Sequence, residues 1–381
     1  MKISIVVQNL GVKSGGPSRS VIALAKGLRN AGVDTEIITS NNSENPNIYS
    51  GENVVCLQQN KPRPFGYVCG FIQLLLSSSC SIFHIQGMFS YIPMISPYIA
   101  RSLHIPYVIA PRGMMYANAL KRSSKKKYIF RKLFIDRDLN KAACLHATCI
   151  EELQELRSAG ITSPIAIIPN SITIPTVLPQ IATSDKFRIG FVGRINEIKN
   201  IDGLIRAWHH AGMGQRIDAE LLIVGGANLD SEKAYQKQLF DLEKELHITN
   251  ICWAGMKTGR DKDEILRSCT VAVLPSHSEN FGMVVPEALI NGIPCIASDK
   301  TPWQMLEMNH CGWVTPNDPI SMANVIKTVS NLSLKEIGEM GLNGQNMVAD
   351  NFSTEVVSEK LIQLYEWILG KKDKPDFVYT I

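Results

Sequence analysis

The stretch "VAVLPSHSENFGMVVPEALINGIPCIASD", residues 271–299, reads as a strand, a loop, a helix and a second strand. Its first and last segments, "VAVLPS" and "PCIASD", are short and apolar, which is typical of buried strands. Between them, Pro286 suits the first turn of a helix. A helix that joins two fully apolar strands predicts a parallel sheet covered by helices.

The same alternation of strands and helices runs along most of the chain. Helical patterns such as "SRSVIALAKGLRNAG" separate the strand-like segments. Those segments are "KISIVVQ", "DTEIITS", "SIFHIQG", "PYVIAP", "CLHATC" and "IAIIPN" up to residue 170, then "FRIGFVG", "AELLIVGG", "NICWAG", "VAVLPS" and "PCIASD" after residue 185. The fold class is therefore predicted to be α/β, with parallel sheets covered on both faces.

The chain is long enough for two domains, at 381 residues. Residues 170–186 are rich in Pro, Ser and Thr, which is typical of an interdomain linker. We therefore predict two doubly wound, Rossmann-like domains, 1–172 and 186–352, that face each other across a cleft. An amphipathic helix at about 353–370 is expected to pack back on the first domain.

Composition indicates a globular enzyme, with 45% hydrophobic and 19% charged residues. The net charge of +4 excludes neither a nucleic-acid nor a membrane partner. Nine scattered cysteines without a CxxC pair are typical of reduced core residues in a cytosolic protein. "CLHATC" holds Cys144, His146 and Cys149, but its alternation favours a buried strand over a metal site.

The N-terminal "MKISIVVQNLG" predicts a first strand rather than a signal peptide. The longest apolar run, "FGYVCGFIQLLLSSSCSIFHIQG", is interrupted by Gly, Ser and His and falls short of a transmembrane span. We therefore expect a cytoplasmic protein.

Glu279 and Glu287 flank a turn that contains Gly282. Because loops at the carboxyl ends of parallel strands bind ligands, Glu279 is expected at a binding edge. A glycine turn followed by a helix start favours anionic oxygens such as a pyrophosphate. Carboxylates repel phosphates but accept hydrogen bonds from hydroxyl pairs. The pattern therefore fits a nucleotide sugar, although a helix-terminal acid and a solvated loop acid explain the spacing equally well.

Two further segments carry groups suited to phosphates. In "FVGRINEIKN", Arg194 and Lys199 follow a strand, where two cations could neutralise a departing nucleoside diphosphate. The alternative is a pair of exposed surface cations. In "GVKSGGPSRS", Gly15 and Gly16 let the backbone approach a ligand, without the GxGxxG spacing of dinucleotide sites.

Together these stretches resemble the retaining glycosyltransferases of family four, which have the GT-B fold. The resemblance covers almost the whole chain and is most specific in "PSHSENFGMVVPEALINGIPCIASD". "PRGM" at 111–114 with "TPW" at 301–303 resembles a subgroup that builds bacterial surface polysaccharides such as O-antigen or capsule.

The resemblance implies that Glu287 binds the ribose hydroxyls and Glu279 the hydroxyls of the donor sugar. It implies further donor contacts from Gly15, Gly16, Arg194, Lys199, Asn280, Phe281, Gly282 and Met283. The donor would be UDP- or GDP-linked, the acceptor a polyprenyl-diphosphate-linked glycan, and transfer would retain the anomeric configuration without a metal or other cofactor.

The chain departs from the family pattern in its first half. "HxHG" becomes "HIQG", with His84 kept and Gln86 in the second position, and "PNG" becomes "PNS" at Ser171. The histidine that many members carry after the strand "PYVIAP" is replaced by Arg112 within "PRG". Arg112 and His84 therefore join Glu279 as catalytic candidates, although His84 on an apolar strand also suits a structural role.

The segment "LKRSSKKKYIFRKLFIDRD", residues 120–138, mixes basic with aromatic and aliphatic residues. Its central cations are Lys125, Lys126, Lys127, Arg131 and Lys132. Such a mixture favours an anionic bilayer surface, and no nucleic-acid-binding motif accompanies it. We predict peripheral association with the inner face of the plasma membrane. The alternative is a helix whose apolar residues face the first domain's core.

The predicted function is transfer of a sugar from a nucleotide donor to a lipid-linked glycan. One alternative is a sugar-nucleotide epimerase with the same two-domain architecture. Another is a non-catalytic nucleotide-sugar-binding protein, which would have no need of the phosphate cations Arg194 and Lys199.

Overall fold

The computed structural model describes residues 1–11, 16–42, 53–59, 66–116, 134–176, 178 and 186–381. The chain divides into two compact units, which are Met1–Thr173 with Ser353–Ile381, and Ile174–Phe352. Each unit has a sheet with helices packed against it, wholly parallel in the second unit and parallel except for one edge strand in the first, so the predicted α/β class is confirmed.

The described residues form fourteen strands, numbered in chain order. They are β1 (Lys2–Asn9), β2 (Asp34–Asn42), β3 (Val54–Gln59), β4 (Ile82–Gln86), β5 (Tyr107–Ala110), β6 (Cys144–Ala147), β7 (Ile165–Ile167), β8 (Phe187–Val192), β9 (Ala219–Val224), β10 (Ile251–Gly255), β11 (Val271–Leu274), β12 (Cys295–Ser298), β13 (Gly312–Thr315) and β14 (Val378–Tyr379).

The same residues form thirteen α-helices, and a 3₁₀ turn spans Glu197–Lys199. The helices are α1 (Gly16–Asn30), α2 (Phe71–Leu76), α3 (Tyr91–Ser102), α4 (Asp136–Asn140), α5 (Ile150–Ser158), α6 (Ile201–His210), α7 (Asp230–Glu245), α8 (Gly259–Arg267), α9 (Val284–Ile290), α10 (Met305–Met308), α11 (Pro319–Ser330), α12 (Leu334–Phe352) and α13 (Thr354–Ile368).

The sheet of the first unit has the order β14-β7-β6-β5-β4-β1-β2-β3. All pairs are parallel except β14 with β7. The chain adds β2 and β3 on one side of β1 and then β4 to β7 on the other. Because ligands bind outside the carboxyl ends of strands where the order reverses, the edge between β1 and β4 is a candidate binding position.

Helix α13 belongs to this first unit and packs against α1. A Cβ atom at Gly27 of α1 would lie 2.2 Å from the Ser358 hydroxyl oxygen and 2.5 Å from a Thr354 methyl group, so only glycine permits this approach. Leu361, Leu364 and Tyr365 are fully buried in the core that α13 shares with β1. The C-terminal helix thus completes one face of the first sheet.

The sheet of the second unit has the order β10-β9-β8-β11-β12-β13, and every pair is parallel. Its core includes Phe191 of β8, Trp208 of α6 and Leu221 of β9. The strand order reverses between β8 and β11, which places their following loops at the predicted binding edge.

Three strands were missing from the predicted set. β3, "VVCLQQ", is mostly half-buried and ends in polar residues, so it lacks the apolar run of a buried strand. β13, "GWVT", has four residues, and β14 has only two. Pairing with an existing sheet edge stabilises segments whose own pattern is too short or too polar to predict a strand.

Candidate active site

Lys199 and Glu279 meet at the reversal point of the second sheet. Lys199 ends the 3₁₀ turn after β8, and Glu279 lies in the loop after β11. The Lys199 ammonium donates to Oε1 of Glu279, and the Ser276 hydroxyl donates to the same oxygen at 2.8 Å. The structure therefore brings a predicted phosphate ligand and a predicted sugar ligand into direct contact.

Asn200 fixes the loops that carry this pair. Its φ of 52° is left-handed, a conformation that asparagine tolerates better than most residues. Its side-chain amide donates to the carbonyl oxygens of Pro275 at 3.1 Å and Asn317 at 2.8 Å. The loops after β8, β11 and β13 are thus tied together, which positions Lys199 relative to Glu279.

The turn after Glu279 requires glycine and is held by an aromatic cluster. Gly282 has a φ of 80°, and a Cβ atom there would lie 2.7 Å from the Leu274 side chain. Trp303, which is buried, donates its indole N–H to the Phe281 carbonyl at 2.5 Å. The rings of Phe281, Trp303 and Phe352 pack edge-on or tilted, with centroids 5.3–5.7 Å apart. The "TPW" motif therefore supports the predicted donor turn, a role that its sequence did not indicate.

The remaining predicted donor contacts in this turn are Asn280 and Met283. Both are half-buried, and Met283 immediately precedes α9. The helix therefore begins directly after the turn, as the sequence predicts.

Glu287, in the first turn of α9, has a partner that the sequence did not reveal. The ammonium of Lys262, in α8, lies 2.5 Å from Oε1 of Glu287. The Lys262 side chain is only 8% exposed, whereas that of Glu287 is 21% exposed. One sequence signal for the burial of Lys262 was available, because Lys262 lies four residues before the apolar Leu266 and therefore shares its helix face.

Arg194 stands apart from this group. Its side chain is 60% exposed, and its guanidinium lies 3.7 Å from the carboxylate of Glu232. Glu232 also accepts hydrogen bonds from the backbone N–H groups of Asn228 and Leu229, at 2.8 and 3.1 Å. Arg194 therefore contacts the start of α7 and not the Lys199–Glu279 pair.

Arg112 anchors a polar cluster in the first unit. Its φ of 57° is left-handed, and its guanidinium donates to the side-chain oxygens of Gln86 at 2.9 Å and Asn170 at 2.5 Å. Both partners are neutral amides, and burial lowers the pKa of Arg112 to about 10. In the described part of the chain, Nη2 of Arg112 and Nε2 of Gln86 are buried donors without a bonded acceptor. The cluster keeps a cation at the carboxyl ends of β4 and β5.

His84 lies in a buried chain of hydrogen bonds. Its Nδ1 is 2.7 Å from the Tyr365 hydroxyl, its Nε2 is 3.2 Å from Nδ1 of His146, and Nε2 of His146 is 2.8 Å from the Ile168 carbonyl. Burial lowers the pKa of both imidazoles, for His146 to about 3, so both rings are neutral. A carbonyl only accepts, so His146 donates to Ile168 through Nε2. The Nδ1 of a neutral His146 then accepts from His84, and the Nδ1 of a neutral His84 accepts from the Tyr365 hydroxyl.

This arrangement favours a structural role for His84. The residue is 0% exposed, and protein atoms occupy both of its ring nitrogens. A catalytic histidine needs a nitrogen within reach of the substrate. His84 therefore does not have the placement expected of the catalytic candidate. Cys144 and Cys149 are buried and reduced, and no group of metal-binding residues occurs among the residues that the structure describes.

Of the predicted site residues that remain, the structure describes only Gly16, which is the first residue of α1. Gly15 and the basic residues Lys125, Lys126, Lys127, Arg131 and Lys132 lie outside the described residues. In the described ranges, no helix has both the length and the apolar character needed to cross a membrane.

The two halves of the chain match two glycosyltransferase family models. Residues 14–174 match "Glycosyltransferase Family 4", and residues 178–347 match "Glycosyl transferases group 1". Each model covers less than half of the chain, and together they cover most of it. The chain therefore carries both kinds of domain.

Curated relatives include proteins of polysaccharide and glycan synthesis. The UDP-Gal:alpha-D-GlcNAc-diphosphoundecaprenol alpha-1,3-galactosyltransferase of Escherichia coli is 25% identical over 70% of both chains. The capsular polysaccharide biosynthesis glycosyltransferase CapM of Staphylococcus aureus is 28% identical over 50% of this chain and 48% of its own. The alpha-1,3/1,6-mannosyltransferase alg-2 of Neurospora crassa is 26% identical over 46% of this chain and 42% of its own. The chain spans about half the length of the last two relatives.

Solved structures share the fold across nearly the whole chain. Sucrose-phosphate synthase from Thermosynechococcus elongatus has a TM-score of 0.78 and 20% identity, over 98% of this chain and all of its own. Anabaena Alr3699/HepE in complex with UDP and glucose has a TM-score of 0.75 and 18% identity, over 96% of this chain and all of its own. These matches confirm the predicted GT-B class.

Proposed function

We propose that the chain is a retaining glycosyltransferase that moves a sugar from a UDP- or GDP-linked donor to a lipid-linked glycan, in the synthesis of a bacterial surface polysaccharide. The observation that carries this proposal is the contact between Lys199 and Glu279 beside the Gly282 turn. A cation, a carboxylate and a backbone turn at the reversal point of a parallel sheet match the phosphates and hydroxyls of a nucleotide sugar.

Donor binding would exchange one interaction of Lys199 for another. In the structure, Lys199 and Glu279 neutralise each other. A diphosphate brings oxygens that bind the ammonium, which releases Glu279 to accept hydrogen bonds from the sugar hydroxyls. The exposed side chain of Arg194 can leave Glu232 for the same diphosphate, and Glu287 would accept from the ribose hydroxyls.

We propose that the reaction needs no metal or other cofactor. Lys199 and Arg194 would stabilise the negative charge that develops on the departing diphosphate, which is the task that a metal ion performs in other transferases. The diphosphate would help to deprotonate the acceptor hydroxyl during front-face attack, which retains the anomeric configuration. Transfer is expected to continue at an undiminished rate in EDTA.

We propose a polyprenyl-diphosphate-linked acceptor. Supporting this class, the E. coli relative is named for a diphosphoundecaprenol-linked substrate, and the S. aureus relative for capsule synthesis. Arg112, which is bonded only to neutral amides in Gln86 and Asn170, retains donors and charge for an anionic group on the acceptor side.

We also propose that the basic segment 120–138 holds the enzyme at the anionic inner face of the plasma membrane. Co-sedimentation with anionic and neutral vesicles tests this, with wild type, a Lys125→Glu/Lys126→Glu/Lys127→Glu variant and, as a control, exposed Lys233→Glu in α7. Only the triple variant should lose binding to anionic vesicles. Binding that ignores both lipid charge and the triple substitution would contradict membrane attachment.

The activity is tested by incubating the purified chain with UDP- and GDP-sugars, with and without a polyprenyl-diphosphate-linked glycan. Mass spectrometry should detect one sugar added to the lipid-linked glycan, and NMR should show the donor's anomeric configuration in the product. Conversion of the donor to an epimer without an acceptor would identify an epimerase. Donor binding without either product would identify a binding protein.

A further inference from the structure

Lys262 combines three features that no sequence motif assigned. It is charged, it is 8% exposed, and its ammonium lies 2.5 Å from Oε1 of Glu287. Lysine on a surface helix usually extends its charge into water, because removing the charge from water is costly. Here the side chain instead points along the buried face of α8, which it shares with Leu266.

The Lys262–Glu287 pair lies next to the donor turn, on the side opposite to the Lys199–Glu279 pair in sequence. Lys199 contacts Glu279 before the turn at residues 280–283, and Lys262 contacts Glu287 after it. Two ion pairs therefore flank the turn whose backbone is proposed to meet the diphosphate. By the proposed function, the sugar lies at the first pair and the ribose at the second.

The chemistry of a ribose explains why a cation belongs beside Glu287. A carboxylate only accepts hydrogen bonds, whereas each ribose hydroxyl both donates and accepts. An ammonium has three N–H donors, of which Glu287 takes one. The vicinal 2′- and 3′-hydroxyls can then donate to Glu287 while their oxygens accept from Lys262, which neither side chain achieves alone.

We propose that Lys262 is a direct ligand of the donor's ribose, and that Lys262 and Glu287 together select a nucleotide with both ribose hydroxyls. This inference rests on the proposed nucleotide-sugar site and adds a residue and a specificity to it. A purely structural salt bridge between α8 and α9 would stabilise the fold without distinguishing one nucleotide from another.

Calorimetric titration of the full chain separates these roles. The probes are uridine and guanosine diphosphates and their 2′,3′-dideoxy analogues, and the readout is the ratio of the dideoxy Kd to the ribose Kd. For the preferred base, wild type should give a ratio of about 10 or more, as expected for hydrogen bonds to charged groups. In Lys262→Met the ribose diphosphate should bind about tenfold more weakly, while the dideoxy analogue changes little, so the ratio falls towards 1.

Matched variants control for charge and folding. Lys262→Arg keeps a donor-bearing cation and should retain part of the ratio. Arg260→Met removes the same charge from an exposed position of α8 and should leave the ratio unchanged. Lys262→Met leaves Glu287 without its partner. Glu287→Gln alone is therefore compared with the Lys262→Met/Glu287→Gln double variant, in which both proposed ribose ligands are replaced and no charge is left unpaired. If Lys262 binds the ribose directly, the single variant keeps part of the ratio and the double variant does not. Its ratio should also fall towards 1, and thermal unfolding verifies that each variant is folded.

A folded Lys262→Met or double variant that keeps the wild-type ratio would overturn the inference and leave the nucleotide site standing. Wild type that binds both diphosphates but shows a ratio of 1 would also overturn it. Wild type that binds no nucleoside diphosphate would refute the proposed function, and this inference with it.

Discussion

Lys199 and Glu279 form an ion pair although 80 residues separate them in sequence, and they do so where the strand order of the second sheet reverses. The Asn200 side chain ties the loop after β8 to the loops after β11 and β13, through hydrogen bonds to the carbonyls of Pro275 and Asn317. These bonds fix the backbone of the loops that carry the cation and the carboxylate, which lowers the cost of ordering the site.

Replacing Lys199 or Glu287 by alanine should reduce transfer about a hundredfold or more, because each would remove a charged donor ligand. Steady-state transfer rates measure the effect, and circular dichroism should show an intact fold. Lys233→Ala, which removes an exposed cation from α7, serves as the control and should retain wild-type activity. Near-normal rates in both site variants would refute the donor-site assignment.

Glu279→Gln should lower turnover more than it weakens nucleoside diphosphate binding. The carboxylate is proposed to bind the sugar, which the free diphosphate lacks. The substitution also removes the neutralising partner of Lys199, so diphosphate affinity is expected to stay constant or increase. Calorimetry gives the affinity and the transfer assay the turnover. Equal losses in both would contradict a role at the sugar.

Trp303→Phe should weaken donor binding, although Trp303 itself is not proposed to contact the donor. The variant keeps an aromatic ring among Phe281 and Phe352 but loses the indole N–H that the Phe281 carbonyl accepts. An unpaired buried carbonyl costs about 1–3 kcal/mol, and the turn can relieve this cost by moving. We expect a several-fold increase in donor KM and a lower unfolding temperature. An unchanged KM with lowered stability would confine Trp303 to a packing role.

Acid should destabilise the first unit through its buried histidines. His146 has a pKa of about 3 in the folded chain and about 6.5 when unfolded, so between these values the unfolded state binds a proton that the folded state does not. The free energy of unfolding should therefore fall as pH drops below about 6.5, by at most about 1.4 kcal/mol per pH unit for this residue. His146→Gln, which cannot titrate, should show a shallower fall in denaturant titrations between pH 7 and 4. Identical slopes for the variant and wild type would contradict the neutral, buried assignment.

The sequence predicted the α/β class, because apolar strands and amphipathic helices follow local periodicity. It also placed Glu279 and Lys199 in loops after strands, since strand ends are marked by local composition. The sequence did not predict the pairing of charges, because the spacing of Lys262 and Leu266 indicates a shared helix face but not that Glu287 lies opposite it. Likewise, the Tyr365–His84 hydrogen bond joins residues 281 positions apart. Such contacts arise from tertiary packing, and no local pattern encodes them.

We propose that the Lys199–Glu279 pair has a direction, with the cation at the phosphates and the carboxylate at the sugar. The charge-swapped variant Lys199→Glu/Glu279→Lys keeps opposite charges in contact but reverses that direction. Its initial transfer rate is therefore the most direct test, with thermal unfolding measured on the same preparation. We expect an unfolding temperature close to that of wild type and a transfer rate at least about a thousandfold lower, because a carboxylate would then face the diphosphate. A folded, charge-swapped chain that transfers sugar within about tenfold of the wild-type rate would contradict it.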